Sequence, residues 1–517
     1  MYHLPSANEI QVLVAALKAG VAAFIPELFL SGLFLLIILI DILGSKKTRN
    51  ESHRVIIPAV SLIGLFISGF LVYQQQTMPS EQIFLGMYAV DPFAIFFKYL
   101  FIASGIFAIL ISIDSEEVTE PVTRSLGEYY ALIVGMVLGM ILMASSTDLL
   151  MMFLSLEMVS LASYVLAGYL KGQVRSSEAA LKYIIYGAVS SGLMIYGFSI
   201  VYGLTGQTNI FAINEFLKNN EVDSLTLMLS ALLIMGGFGY KAGVVPFHFW
   251  APDVYEGSPT PITAYLSVGS KAAGFAMLIR FFRVTIPTGS GSVESFFTLD
   301  WVTLLAAISV VSMILGNVVA IWQSSVKRLL AYSSIAHAGY ILLGVLVADD
   351  FGTQATLFYL AGYTIMNIGA FLVVILITNK IGSDDVNDYK GLGKRMPLAA
   401  AALTIFLVSL TGLPPTVGFI GKLLIFSALL SRGTIYVWLA LIGVLTSVIS
   451  LYYYFKIPLN MYLRESESGA TSQFDFSLMS NVLVAFLMII TIVLGLYFSP
   501  LTTLTKQSVT ILGAVLN

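Results

Sequence analysis

Residues 241–275 read KAGVVPFHFWAPDVYEGSPTPITAYLSVGSKAAGF, two lysines bounding a largely apolar passage that holds four prolines, an Asp and a Glu. Lys182 and Lys422 also stand inside long apolar runs. A lysine at the centre of a bilayer costs about 2.5–3.5 kcal/mol on insertion scales. Lys182, Lys241, Lys271 and Lys422 would together cost roughly 10–14 kcal/mol if all were deep and unpaired. Such groups are kept where they face a bundle interior, find partners or line water, and the chemistry they bring is proton binding and release. Glu157, in MMFLSLEMVSLASY, is the carboxylate in the middle of a span, and His337 adds an imidazole. Opening and closing a Lys241–Glu157 pair would switch the lysine between holding and releasing a proton. Lys271, His337 and Lys422 would then relay that proton sideways and outward through ordered water.

Depth brings these groups to one level. At about 1.5 Å of rise per residue, Lys241, Lys271, Glu157 and His337 lie roughly 14–20 Å from the cytoplasmic ends of four different helices, near the midplane. Lys422 falls nearer the outer end of its span. Pro246 and the pair Pro414–Pro415 remove backbone donors and break their helices. The carbonyls so freed can bind water or an ammonium, which a membrane tolerates around a polar cavity. Lys241 stands five residues before one break and Lys422 seven after the other, so the two are not at equivalent positions.

Each residue also has a plainer reading. Lys182 has Glu178 four residues before it, a favourable helical ion-pair spacing, and reads either as a side chain snorkelling to the cytoplasm or as part of the relay. Lys98 reads as snorkelling or as one half of a structural pair. Asp91, before Pro92, and Glu27, after Pro26, read as helix-start residues. Asp253 and Glu256 read as caps of the eighth helix, with proton entry as the alternative. His337 fits a relay or a hydrogen-bonded packing role equally, His248 reads as structural, and His3 and His53 as tail and loop. The spacing Gly187-x-x-x-Ser191 is that of close helix packing. For Lys241 and Glu157 the plainer option is a static buried pair, but an apolar pair would be cheaper, which argues for function.

The elements that must position these groups follow from composition. The chain has 517 residues, 58% hydrophobic and 11% charged, with mean hydropathy +0.90. A soluble protein would carry about 25% charge. Apolar runs long enough to span recur along the whole length, so the fold class is all-α, a polytopic transmembrane bundle. Fourteen helices are expected, near 22–43, 55–75, 89–113, 129–146, 149–170, 178–204, 225–250, 259–283, 300–322, 327–348, 354–378, 397–430, 434–456 and 477–498. The seventh and twelfth are broken by proline, and TGQTNIFAINEFLKNNEVDS between the sixth and seventh reads as a short interfacial helix. EAALKYIIYG at 178–187 resembles QATLFYLAGY at 354–363, each followed one helix later by a proline-interrupted span. Helices four to eight (129–283) and nine to thirteen (300–456) then form two five-helix units within one transmembrane domain, and an odd number per unit inverts one against the other.

Basic residues number fifteen in loops after odd-numbered helices, among them Lys46, Lys47, Arg49 and Arg124. Six stand on the other side, Lys18, Lys218, Arg280, Arg283, Arg432 and Lys506. This puts both termini outside. The start lacks the basic residues and cleavage site of a removable signal, so the run at 22–43 reads as a retained span. There is no cysteine, which excludes iron–sulfur clusters, thiolate metal sites and disulfides in this chain. A bis-histidine haem would need His248 and His337. No phosphate-cradling loop is present, so no cofactor is expected here, and a net charge of −3 gives no reason to expect nucleic acid.

KAGVVPFHFWAPDVYEGSPTPITAYLSVGSKAAGF, EAALKYIIYGAVSSG, GNVVAIWQSSVKRLLAYSSIAHAGY, GLPPTVGFIGKLLIF and VLTSVISLYYY resemble the antiporter-like membrane subunits of respiratory complex I across helices five to thirteen. EGSPTPITAYLSVGSKAAG is most similar to the subunit N group, whose paralogues carry a histidine in the eighth helix. The resemblance implies a fourteen-helix fold with two inverted five-helix repeats. It also implies proton translocation driven by quinone reduction in neighbouring subunits, which would hold the quinone and the iron–sulfur clusters. By motif, Glu157 resembles the fifth-helix glutamate, and Lys182, Lys241, Lys271 and Lys422 the lysines of helices six, seven, eight and twelve; His337 resembles the tenth-helix histidine. The implied partners are small quinone-side membrane subunits and a further antiporter-like subunit, in a bacterial inner or photosynthetic membrane. A secondary cation/proton antiporter of the Mrp type is the alternative reading, and a non-conducting scaffold a third.

Overall fold

A computed structural model describes residues 7–43, 52–120, 126–285, 301–465 and 474–512. His3, Lys46, Lys47, Arg49 and Arg124 lie outside the described residues, as does the side chain of His53. Among the described residues thirteen helices are long and apolar enough to cross a membrane. In chain order the first eight are Ile25–Leu43, Arg54–Gln75, Pro92–Ile113, Gly127–Ser145, Leu149–Ala167, Val174–Thr205, Ser224–Ala242 and Thr260–Thr285. The ninth to eleventh are Thr303–Ile321, Val326–Leu346 and Asp350–Ile381, and the last two, Tyr436–Leu463 and Leu478–Leu496, are the thirteenth and fourteenth spans. The twelfth span is two short helices, Pro397–Thr411 and Val417–Leu430. The fourteen expected spans are thus present, with the seventh and twelfth interrupted.

Sequence chemistry sets the ends of these helices. Asp148, Asp223, Ser325 and Asp349 each accept a backbone N–H in the first turn that follows, satisfying donors that lack an intrahelical partner. The seventh span continues after its break as Trp250–Gly257, and each break contains a cis X-Pro bond, Val245–Pro246 and Pro414–Pro415. The expected interfacial helix is Ile210–Asn219, capped by Asn209. Among the elements that escaped the sequence reading are a helix over Ala7–Ala23, a C-terminal helix over Ser499–Gln507, and a hairpin pairing Glu81–Ile83 with Tyr88–Val90. The hairpin shortens the expected third helix, which starts at Pro92 rather than near 89.

Burial separates a core from a rim. All of the eighth span's apolar window is buried, and nearly all of the tenth and eleventh, whereas the first, sixth, thirteenth and fourteenth are mostly uncovered. An apolar helix with one uncovered face suits a lipid or protein neighbour. Neighbours recur in order: fourth on fifth and ninth on tenth, sixth on seventh and eleventh on twelfth, fourth on eighth and ninth on thirteenth. The eighth span departs from regular α geometry through a π-helical segment, Leu266–Ser270, that ends against Lys271. Inserted turns of this kind are frequent at functional sites, and nothing in the sequence reading anticipated this one.

Candidate proton-relay site

The first half of the seventh span ends one residue after Lys241, where Gly243 adopts φ +69. Lys241 is buried and donates to the Ser160 hydroxyl of the fifth span at 3.2 Å. The expected pair with Glu157 is not closed. Glu157 lies one turn before Ser160, and its Oε1 is buried without a hydrogen-bond partner. The carbonyl of Tyr240 freed by the break goes to the Trp250 indole N–H at 3.0 Å, not to an ammonium. Ser312 of the ninth span accepts the Val245 N–H at 3.0 Å and braces the break from behind.

Lys271 follows the π segment and donates to the Ser334 carbonyl at 2.6 Å and the Ser334 hydroxyl at 2.5 Å, both on the tenth span. Lys422, in the second half of the twelfth span, donates to the carbonyls of Leu410 and Thr411 at 3.2 and 2.8 Å and to the Ser447 hydroxyl at 2.7 Å. Leu410 and Thr411 close the first half of that span, so the broken helix does supply carbonyls to an ammonium, as its prolines suggest. The ammonium also lies 4.5 Å from the centre of the Tyr340 ring, within cation–π range. The two breaks are closer kin in space than in sequence. A methyl on Gly243 would come 3.7 Å from Lys271 Nζ, and one on Gly412 would come 3.4 Å from Lys422 Nζ. Each break's capping glycine thus faces an ammonium, Lys271 at one and Lys422 at the other.

His337 is buried between two phenols, with Nδ1 2.5 Å from the Tyr359 hydroxyl and Nε2 3.1 Å from that of Tyr454. Tyr454 also bonds Ser333, and Tyr340 donates to Thr446 at 3.1 Å. The sequence reading missed these hydroxyls, although Ser333, Ser334, His337 and Tyr340 follow helical spacing on one face. Ser447, Ser450 and Tyr454 repeat that spacing on the thirteenth span.

Lys182 stands apart from this level. Its side chain is 36% exposed and pairs with Glu178 at 2.7 Å, as the spacing predicts, and with Asp253 at 2.6 Å. Arg328 bridges Asp253 and Glu256 at 2.7 and 2.8 Å. Glu178, Asp253, Glu256 and Arg328 line, with Arg175, a cavity of about 150 Å³ beside the Lys182 pair. Asp253 and Glu256 therefore do not cap the eighth span; Glu117 does, its carboxylate accepting the Thr260 N–H at 2.9 Å. Gly187 is placed by hydroxyls rather than by a bare helix backbone, since a side chain there would strike the Tyr164 hydroxyl. His248 is buried, its ring 4.5 Å from that of Phe249, in keeping with the structural reading.

Two further buried cations differ in kind. Lys98 pairs with Glu27 at 2.7 Å, both fully buried, so it is a structural pair and does not snorkel. Arg280 does not face the outer loop to which its position assigned it: it is fully buried and grips both oxygens of Asp91 at 2.7 and 2.8 Å. Asp91 caps the third span as expected, at 2.8 Å from the Ala94 N–H. A cation on a carboxylate cannot shed its proton without stranding a buried anion. Lys241, Lys271 and Lys422 rest on hydroxyls and carbonyls, with no carboxylate bonded to the ammonium, so each can hold or lose a proton without breaking an ion pair. Among the described residues no group of three His, Asp or Glu could hold a metal ion.

A family model described as NADH:quinone oxidoreductase/Mrp antiporter, TM, matches residues 146–450. NADH-quinone oxidoreductase subunit N 2 of Chloroherpeton thalassium is 77% identical over 515 residues, covering 100% of this chain and 99% of the relative. A chain of respiratory complex I from Thermus thermophilus superposes with a TM-score of 0.74 at 29% identity, over 93% of this chain and 99% of that one. A chain of the Mrp complex from Dietzia superposes with a TM-score of 0.79 at 20% identity, over 95% and 98%.

Proposed function

The chain belongs to the NADH:quinone oxidoreductase/Mrp antiporter transmembrane family, and from that premise we propose that it relays protons within a quinone-reducing membrane complex. It is a subunit N-type, multi-pass membrane protein of a NADH-quinone oxidoreductase. The observation that supports the relay is the contrast among buried cations. Lys241, Lys271 and Lys422 sit on neutral acceptors, whereas Lys98 and Arg280 sit on carboxylates.

In this reading Ser160 holds the Lys241 ammonium while the pair with Glu157 is open. Closing the pair fixes a proton on the amine, and opening it frees that proton for Lys271. Lys271, His337 and Lys422 pass protons across the eighth, tenth and twelfth spans, and the Lys182–Asp253–Glu256–Arg328 cluster forms the mouth through which they enter. The seventh and twelfth spans are the broken members of two inverted five-span units, a reading supported by their matching neighbours. Electron transfer belongs to partner subunits that hold the quinone and the iron–sulfur clusters. Small quinone-side subunits and a second antiporter-like subunit cover the uncovered faces, in a bacterial inner or photosynthetic membrane with both termini outside the cytoplasm. The Mrp alternative is disfavoured by 77% identity to a subunit N against a likeness in fold to the Mrp chain.

Lys241→Ala in the assembled complex tests the relay. Proton uptake by vesicles should collapse, and quinone reduction should slow with it, while the complex keeps its subunits. Undiminished pumping and turnover would make this chain a scaffold. Purification of the chain with antiporter subunits and without iron–sulfur partners would return it to the Mrp class.

A further inference from the structure

The thirteenth span meets a relay lysine through Ser447, and it also sends a phenol hydroxyl to the relay histidine. Tyr454 is fully buried, on a helix whose outer face is uncovered. Its hydroxyl bonds Ser333 Oγ on one side and lies 3.1 Å from His337 Nε2 on the other. The second ring nitrogen of His337 is 2.5 Å from the Tyr359 hydroxyl. Ser333, Tyr454, His337 and Tyr359 are thus four groups from the tenth, thirteenth and eleventh spans in one unbroken hydrogen-bonded row. All four are buried, with exposures of 0–2%. Seven residues before Tyr454, about two helical turns, Ser447 on the same helix accepts from the Lys422 ammonium at 2.7 Å. Ser450, between them, is buried as well.

A phenol hydroxyl between two partners can accept on one lone pair and donate its own proton, which is what a transfer group requires. We infer that Tyr454 is a proton-transferring residue, joining the tenth span to His337, with the Ser447–Ser450–Tyr454 face of the thirteenth span as the wall of the relay. This rests on the relay reading of Lys271, His337 and Lys422. In the step, a hydronium gives a proton to Ser333 Oγ and is released as water, the Ser333 hydroxyl passes its own proton to the Tyr454 oxygen, and the phenolic proton leaves for His337 Nε2, so Ser333 keeps a hydroxyl. Tyr454 ends neutral and the imidazole gains one positive charge. The O–H bond to the departing proton breaks as the new one forms, and no electrons change hands. The reverse hop restores the ring.

Tyr454→Phe removes the oxygen and keeps the ring that packs 4.4 Å from Tyr453. In the assembled complex in proteoliposomes it should slow proton translocation about a hundredfold, the low end of what a transfer group contributes, and change the solvent deuterium effect and the pH–rate profile. Tyr129→Phe is the control, a buried tyrosine whose hydroxyl lies 2.8 Å from that of Ser112 between the third and fourth spans, away from the row, and translocation should stay at the wild-type rate. Should Tyr454→Phe fail to assemble, Ser333→Ala removes the other end of the same bond and should reproduce the loss. Wild-type pumping and isotope effect in Tyr454→Phe, alongside a stalled Lys271→Ala, would overturn the role of Tyr454 and leave the relay standing. Wild-type pumping in both variants would overturn the relay itself.

Discussion

Gly412→Ala probes whether the break in the twelfth span exists to seat Lys422. Gly412 closes the first half of that span at φ +88, and an added methyl would lie 2.7 Å from Lys422 Cδ and 3.3 Å from Cε. The left-handed backbone costs an L side chain about 1–2 kcal/mol. The lysine cannot simply swing aside, because its ammonium is fixed by two carbonyls and a hydroxyl. A hydrogen bond to a charged group is worth about 1.5–3 kcal/mol, so losing one brings the total to roughly 2.5–5 kcal/mol. Gly382 provides the comparison. It ends the eleventh span in the same conformation, φ +70, and a methyl added there would meet nothing within 4 Å. Gly382→Ala should therefore cost only the backbone share, about 1–2 kcal/mol. Denaturant titration of the full-length chain in mixed micelles gives both free energies, and proton uptake by vesicles bearing the complex gives the function. Gly412→Ala should lose both stability and pumping, and Gly382→Ala stability alone. Equal losses of stability with intact pumping in both variants would refute the claim that this glycine positions the amine.

Asp91→Ala leaves Arg280 charged and uncovered in the interior, which should cost about 3–5 kcal/mol, with about 1 kcal/mol more for the lost cap; the double variant Asp91→Leu/Arg280→Met should recover most of it in the same titration. Glu117→Ala strips the cap from the eighth span and should cost roughly 0.5–2 kcal/mol, while pumping per assembled complex stays near wild type. Lys182→Ala breaks a pair that is partly exposed, so stability should fall by at most about 1 kcal/mol and the loss should shrink in high salt. Its effect on pumping should be smaller than that of Lys241→Ala in the same vesicles.

Much of the molecule was legible in the chain. Hydropathy gave the fourteen spans, and proline gave the interruptions of the seventh and twelfth, because both signals are local. Depth counted along each helix was enough to mark Lys241, Lys271 and His337 as interior groups, and all three are buried, as is Lys422, which the count put nearer the outer end of its span. The spacing of Glu178 and Lys182 was enough for their pair. The serine and tyrosine partners carried a weaker signal, a polar stripe at helical spacing in SSIAHAGY and VLTSVISLYYY, which hydropathy averages away.

What a buried cation rests on was decided elsewhere. Asp91 and Arg280 are 189 positions apart, and Lys271 and the Ser334 oxygen 63. Such pairings depend on which spans pack together, and no local pattern encodes that. Lys98 and Lys241 look alike in sequence, each a lone lysine in an apolar helix. Packing gives one a carboxylate and the other a hydroxyl, and that difference separates a fixed staple from an amine free to trade its proton.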